Sequence, residues 1–120
     1  MMSHLVPPHG GRLVELMASP ERLAEITAHA KEMPSWTLLP RQLADLELLL
    51  SGGFSPLRGF MGSADVASVL ANWRLGDDTF WPVPVTLEVA EDLAKTLGAK
   101  ASLGLRDGEG VLRAVVQVTE

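Results

Sequence analysis

The sequence predicts an α+β domain, with helices gathered first and strands gathered last. Three observations point to it. Between Ser19 and Trp73, apolar residues recur at spacings of three and four. After Phe80 the apolar period falls to two. Near the end, "GEG" (Gly108 to Gly110) separates two strand-like runs, as a hairpin turn does.

The first helix is "SPERLAEITAHAKEM". Ser19 caps the free amides, and Pro20 suits the first helical position, where a missing N–H costs nothing. Glu21 favours the positive end of the helix dipole and Lys31 the negative end. Leu23, Ile26 and Ala30 share one face, and Pro34 stops the run. The second helix is "PRQLADLELLLSGG", with Leu43, Leu46, Leu49 and Leu50 as its core stripe. Arg41 and Asp45 can pair at i,i+4. Leu39 stands where a small polar cap is expected, which weakens the start by ~1 kcal/mol. Gly52 or Gly53 supplies the left-handed residue that ends it. A third helix begins near Ser63, with Val66, Val69 and Leu70 inward, and "GDD" (Gly76 to Asp78) is a turn.

Trp81, Val83, Val85 and Leu87 then alternate with Pro82, Pro84, Thr86 and Glu88. This is strand patterning, but prolines cannot donate to a ladder, so the segment lies at an edge or begins as an extended arm. "AEDLAKTL" forms a short helix with Glu91 and Lys95 at i,i+4. "KASLGLRD" and "VLRAVVQVTE" flank the hairpin turn.

Composition narrows the function classes. The 120 residues are 47% hydrophobic and carry a formal net charge of −5. One core burying roughly two-thirds of the unfolded surface is possible at this size. No apolar run approaches the roughly 20 residues of a membrane span. The opening "MMSHLVPPHG" does not read as a secretory signal, and the chain has no cysteine; both fit a cytoplasmic setting. The ten Lys and Arg residues are scattered, with no two adjacent, so a nucleic-acid partner is not expected.

His4, His9 and His29 have no spacing that would bind zinc from one helix face. His29 reads as an exposed helix-end residue. Asp77 and Asp78 read as turn residues, and Glu109 as a hairpin tip. "GGFSPLRG" lacks the Gly-Lys-Ser/Thr ending of a phosphate-binding loop. Ser51, Ser55 and Ser63 have no histidine neighbouring in sequence.

The most distinctive stretch is "PSWTLLPRQLADLELLLSGGFSPLRGFMG". It resembles the N-terminal domain of the ATP sulfurylase (sulfate adenylyltransferase) family. "LVPPHGGRLVEL" is similar to that family's opening motif. Trp73-Arg74-Leu75 and Trp81 to Leu87 echo its "MRL…WPVPVTL", and "LRDGEGVLRAVVQV" its following hairpin. The resemblance runs from about residue 5 to residue 120. It implies a PUA-like pseudo-β-barrel decorated with N-terminal helices. It also implies a parent reaction in which ATP and sulfate give adenosine 5′-phosphosulfate and pyrophosphate, with magnesium accompanying the nucleotide.

The family's Gln-x-Arg-Asn-Pro-x-His-x-x-His segment binds ATP and sulfate in the domain that follows. It does not occur in this sequence, so the resemblance carries over no catalytic, cofactor-binding or metal residue. The implied role is non-catalytic support of the catalytic domain and the oligomer. The catalytic domain would be joined in cis or supplied in trans, and the alternative is a stand-alone PUA-like binding or scaffold module. The family's domain continues beyond a point equivalent to Glu120. An incomplete domain is therefore expected, whose last strand lacks a partner and self-associates through its edge.

The structural or interface residues fall in two turns. In "PPHGG", His9 is a turn or interface residue beside Gly10 and Gly11. In "SGGFSPLRGF", Gly52 and Gly53 end the leucine helix, Phe54, Leu57 and Phe60 plug the space beside it, and Pro56 stiffens the path. Gly59 is expected to supply a φ that no bulky residue tolerates. Arg58 faces solvent or a neighbouring domain.

Overall fold

A computed structural model describes residues 7–98 and 101–119. The elements are α1 (Pro20–His29), β1 (Ser35–Thr37), α2 (Pro40–Ser51), α3 (Ser63–Asn72), α4 (Glu91–Thr96), β2 (Ser102–Arg106) and β3 (Leu112–Gln117). The α+β class holds. The chain divides into two compact units. The first comprises the residues up to Met17 together with Leu46–Val85, and the second Ala18–Asp45 together with the residues from Thr86 onward.

In the second unit the helix signals hold. The Ser19 hydroxyl accepts the Arg22 amide at 3.2 Å, and Pro20 opens α1. The helix ends at His29, earlier than Pro34 would require, in a turn closed by the Glu32 amide on the His29 carbonyl. Its inward face is narrower than expected: Ala30 is buried and Ile26 half-buried, but Leu23 is exposed. Arg41 and Asp45 pair at 3.1 Å, and Lys95 and Glu91 at 3.2 Å.

The sheet runs β1-β2-β3. β2 and β3 form the expected antiparallel hairpin, with Leu103 opposite Val116 and Leu105 opposite Ala114. Gly110 turns it at φ 86°. The Asp107 carboxylate organises the loop: Oδ1 accepts the amides of Glu109 and Val111, and Oδ2 accepts Arg113 Nε at 2.9 Å. Those bonds, the Val111 amide foremost, hold the Asp107 carboxyl below its ordinary value of 3.8 against partial desolvation. β1 is not foreseen by the sequence pattern. It runs parallel to β2, with Trp36 opposite Leu105, and makes β2 the central strand.

In the first unit, Leu49, Leu57, Val69, Leu75, Trp81 and Val85 form the buried core, with Leu16, Phe54, Phe60 and Met61 packed against it. α3 forms as expected but buries Val69 and leaves Leu70 exposed. It closes on Trp73, whose φ of 59° is left-handed. "GDD" is a turn, with Asp78 at φ 74° and Arg74 bridged to Phe80. The run from Trp81 to Leu87 is no strand. It is the extended arm that its prolines allow, with Trp81 and Val85 buried and Val83 exposed.

Candidate functional site: two glycine turns on Trp81

Both turns singled out in the sequence belong to the first unit and meet at one tryptophan. "PPHGG" winds into a short 3-10 turn, His9–Gly11, closed by the Gly11 amide on the Pro8 carbonyl at 2.9 Å. Gly10 and Gly11 take φ of 74° and 83°, a region a Cβ disfavours. A Cβ on Gly10 would also lie 2.7 Å from Cγ of Pro56, so the two turns abut there.

His9 Nε2 lies 2.6 Å from the Phe80 carbonyl oxygen. A carbonyl only accepts, so Nε2 carries the proton. The imidazole stacks at a tilt on Trp81 with 5.8 Å between centroids, and Phe54 meets the same indole edge-on at 5.7 Å. Trp81 is thus gripped by one aromatic ring from each turn. Its Nε1 is buried with no hydrogen-bond partner among the described residues.

The second turn is held from within. Gly52 ends α2 at φ 90°, settling which of the two glycines is left-handed. The Phe54 amide returns to the Leu48 carbonyl at 3.1 Å, and the Ser55 amide to that of Gly52 at 3.1 Å. The Ser55 hydroxyl, buried, donates to the Gly52 carbonyl at 2.7 Å and accepts the Val14 amide at 2.8 Å. That hydroxyl therefore joins the chain just after "PPHGG" to the loop after α2. The Ser55–Pro56 peptide is cis. Leu57 is buried, and Phe54 and Phe60 lean on the core as expected.

Gly59 corrects an expectation. It has no left-handed φ, and a Cβ there would meet nothing within 4 Å. Gly53 likewise has no left-handed φ; a Cβ on it would press on Cδ2 of Leu48, the far end of a flexible side chain. Arg58 is exposed and makes no ion pair among the described residues.

His4 lies outside the described residues. His29 is the exposed helix-end residue expected, 3.7 Å from a Glu32 carboxylate oxygen. No group of three His, Asp or Glu among the described residues could hold a metal ion.

A second constellation escaped sequence reading. Gln42 is fully buried in the second unit. Its Oε1 accepts Trp36 Nε1 at 3.0 Å and the Leu39 amide at 2.9 Å, while Nε2 donates to the Glu88 carbonyl at 2.7 Å. The bond to Leu39 is half of a capping box, in which the third helical residue reaches back to the cap amide. The apparently poor cap at Leu39 is thereby answered. The available signal was a Gln two residues after Pro40, which the search for a small polar cap passes over.

Every hydrogen bond described in these constellations fixes backbone or packs a side chain. In them the Ser55 hydroxyl bonds only backbone groups. The arrangement can set a rigid surface and present it.

The chain matches the model of the PUA-like domain over residues 6–120. It is 38% identical over 117 residues to a sulfate adenylyltransferase of Eremothecium gossypii, covering 97% of this chain and 23% of that protein. It is 42% identical over 115 residues to a sulfate adenylyltransferase of a Synechococcus strain, covering 96% of this chain and 29% of that one. Among solved structures it superposes on a hexameric APS kinase from Thiobacillus denitrificans, with a TM-score of 0.84 and 39% identity, covering 94% of this chain and 23% of that one. The chain thus spans about a quarter of the length of these relatives.

Proposed function

The chain belongs to the PUA-like domain family, and from that premise we propose that it is the non-catalytic N-terminal domain of a sulfate adenylyltransferase. One observation carries the reading. Relatives of that name match 97% and 96% of this chain while it spans only 23% and 29% of them. The absence of the family's Gln-x-Arg-Asn-Pro-x-His-x-x-His segment from the sequence supports a non-catalytic role. In this reading ATP, magnesium and sulfate are handled by a catalytic body joined in cis or supplied in trans, in the cytoplasm. The domain's part is to support and orient that body.

The two glycine turns are the stiff part of such a support. His9, Gly10 and Gly11 lock onto Phe80, Trp81 and Pro56, and Gly52, Gly53, Phe54, Pro56, Gly59 and Phe60 carry α2 into the core, with Arg58 outermost. The hexameric state of the Thiobacillus protein supports an oligomeric parent. The outer edge of β3, the last strand of the sheet, is the surface for self-association. Sedimentation should then show dimers that grow with concentration; a monomer at every concentration refutes the edge contact.

The test of the function is twofold. The reading frame after Glu120 should continue into the ATP- and sulfate-binding segment. The joined polypeptide should form ATP from adenosine 5′-phosphosulfate and pyrophosphate, and the 120-residue chain alone should not. A frame that leads elsewhere, or an inactive joined polypeptide, would overturn it.

A further inference from the structure

The first unit carries an apolar patch that its own core does not use. Leu70 is 67% exposed, Trp73 60% and Phe80 45%. Leu70 and Trp73 are one turn apart at the end of α3, and the Trp73 and Phe80 rings lie 6.4 Å apart between centroids. Large apolar groups clustered on a surface mark contact sites, and tryptophan is the residue most enriched where binding energy concentrates.

Trp73 is also conformationally costly. It closes α3 at φ 59° and ψ 33°, where glycine or asparagine is usual. The backbone there is needed: the Trp73 amide bonds the Val69 carbonyl at 2.9 Å, and the Trp81 amide bonds the Trp73 carbonyl at 2.8 Å. Glycine would make both bonds with less strain. The chain's own fold thus explains the turn and leaves the indole unexplained. A strained residue with its side chain outward is an observation from which function can be inferred.

The rim of the patch is acidic. Asp77 and Asp78 occupy its turn, and the Asp77 Oδ1 accepts the Thr79 amide at 3.0 Å. Arg74, the cation next to Trp73 in the chain, is directed at Asp78, by 3.1 Å to its carbonyl and 3.8 Å to its carboxylate. A covering surface must therefore bring apolar groups flanked by basic ones. A second copy of this patch would set carboxylates against carboxylates, which disfavours a symmetric pairing through it.

Resting on the reading of the chain as one domain of a longer enzyme, we infer that the Leu70–Trp73–Phe80 patch is the face on which the catalytic body docks. The relatives supply the body's size: the matched region is 23% and 29% of their length, so most of each lies outside it.

Hydroxyl-radical footprinting read by mass spectrometry tests this on the 120-residue chain and on the joined polypeptide. Trp73 should label at least about tenfold more slowly in the joined polypeptide, while buried Trp81 labels equally slowly in both and serves as the reference. Leu70→Glu in the joined polypeptide changes only an exposed side chain and should raise Trp73 labelling severalfold. Equal labelling of Trp73 in the two proteins would overturn the inference. So would protection already present in the short chain together with a sedimenting dimer, which would assign the patch to a second copy. The same preparation is assayed for ATP formation: an active but unprotected protein sinks the docking face alone, and an inactive one sinks the functional reading.

Discussion

The two units of this chain are stabilised by different physics. The first, around Trp81, rests on apolar packing: its core side chains come from α2, α3, the loop between them, the turn after α3 and the arm that follows, and among the described residues its one buried polar residue, Ser55, ties two turns together. The second has a hydrogen-bonded ladder and two buried polar side chains, Gln42 and Asp107, each bonded to several partners. The difference teaches where each is brittle. An apolar core loses stability in proportion to the volume removed, whereas a buried polar node fails at once because every partner is orphaned together.

The comparison breaks or sharpens under five substitutions. The largest effect is expected at Gln42→Leu, which strands Trp36 Nε1, the Leu39 amide and the Glu88 carbonyl. These three bonds are only part-buried, so at the low end of roughly 1–3 kcal/mol for each group left unpaired, urea unfolding should show a loss of about 3–5 kcal/mol. A loss below about 1 kcal/mol would mean the node is decorative. Leu49→Ala, in the other unit, should cost about 2–4 kcal/mol by the same measurement, since Leu49 is buried in the core cluster.

Gly10→Ala sets a methyl against Pro56 at a left-handed φ and should cost about 1–3 kcal/mol. Gly59→Ala, with open space and no left-handed φ, should change stability by less than about 0.5 kcal/mol. Equal effects at the two glycines would refute the picture of abutting turns.

The smallest effect concerns acid. The folded-state pKa of Asp107 is lowered, so its contribution is present above the ordinary value of 3.8 and is lost as pH falls from there through the lower folded value. Thermal melts from about pH 5 to about pH 2 should therefore lose less stability with acid in Asp107→Asn than in the parent chain. Identical slopes would show that the hairpin carboxylate is not among the groups that acid titrates against stability.

Local signals in this sequence were legible where local chemistry decides. Ser19 and Pro20 start α1 as written, Gly52 ends α2, and the "GEG" hairpin folds where it was expected. Periodicity announces α3 and sets both Val69 and Leu70 inward, but only Val69 is buried, because that depends on what the helix packs against. β1 left no trace: it is three residues long, lies between Pro34 and Pro40, and exists only through its pairing with β2. Gln42 was hidden for a similar reason, since a glutamine on a helix reads as surface until its partners are known. At the candidate site, the sequence located both turns and their aromatic residues. It could not show that His9 bonds the Phe80 carbonyl, because nothing local to either residue encodes the other. Gly59 shows the converse: a glycine in a crowded motif reads as a left-handed position, but of the motif's glycines Gly52 takes that φ.

The His9–Phe80 bond spans 71 positions and the Gln42–Glu88 bond 46. On a ribosome adding about 5–20 residues per second, the first of these partners waits roughly 4–14 s for the second to be made. In the later part of that interval Leu49 of α2 has been synthesised without Trp81 and Val85, its partners in the core, to cover it. Synthesis of this domain therefore has a late closing event, set by translation of the Trp81–Val85 arm. Synonymous codons that slow the ribosome upstream of that arm would lengthen the exposure of the nascent core to chaperones and to aggregation.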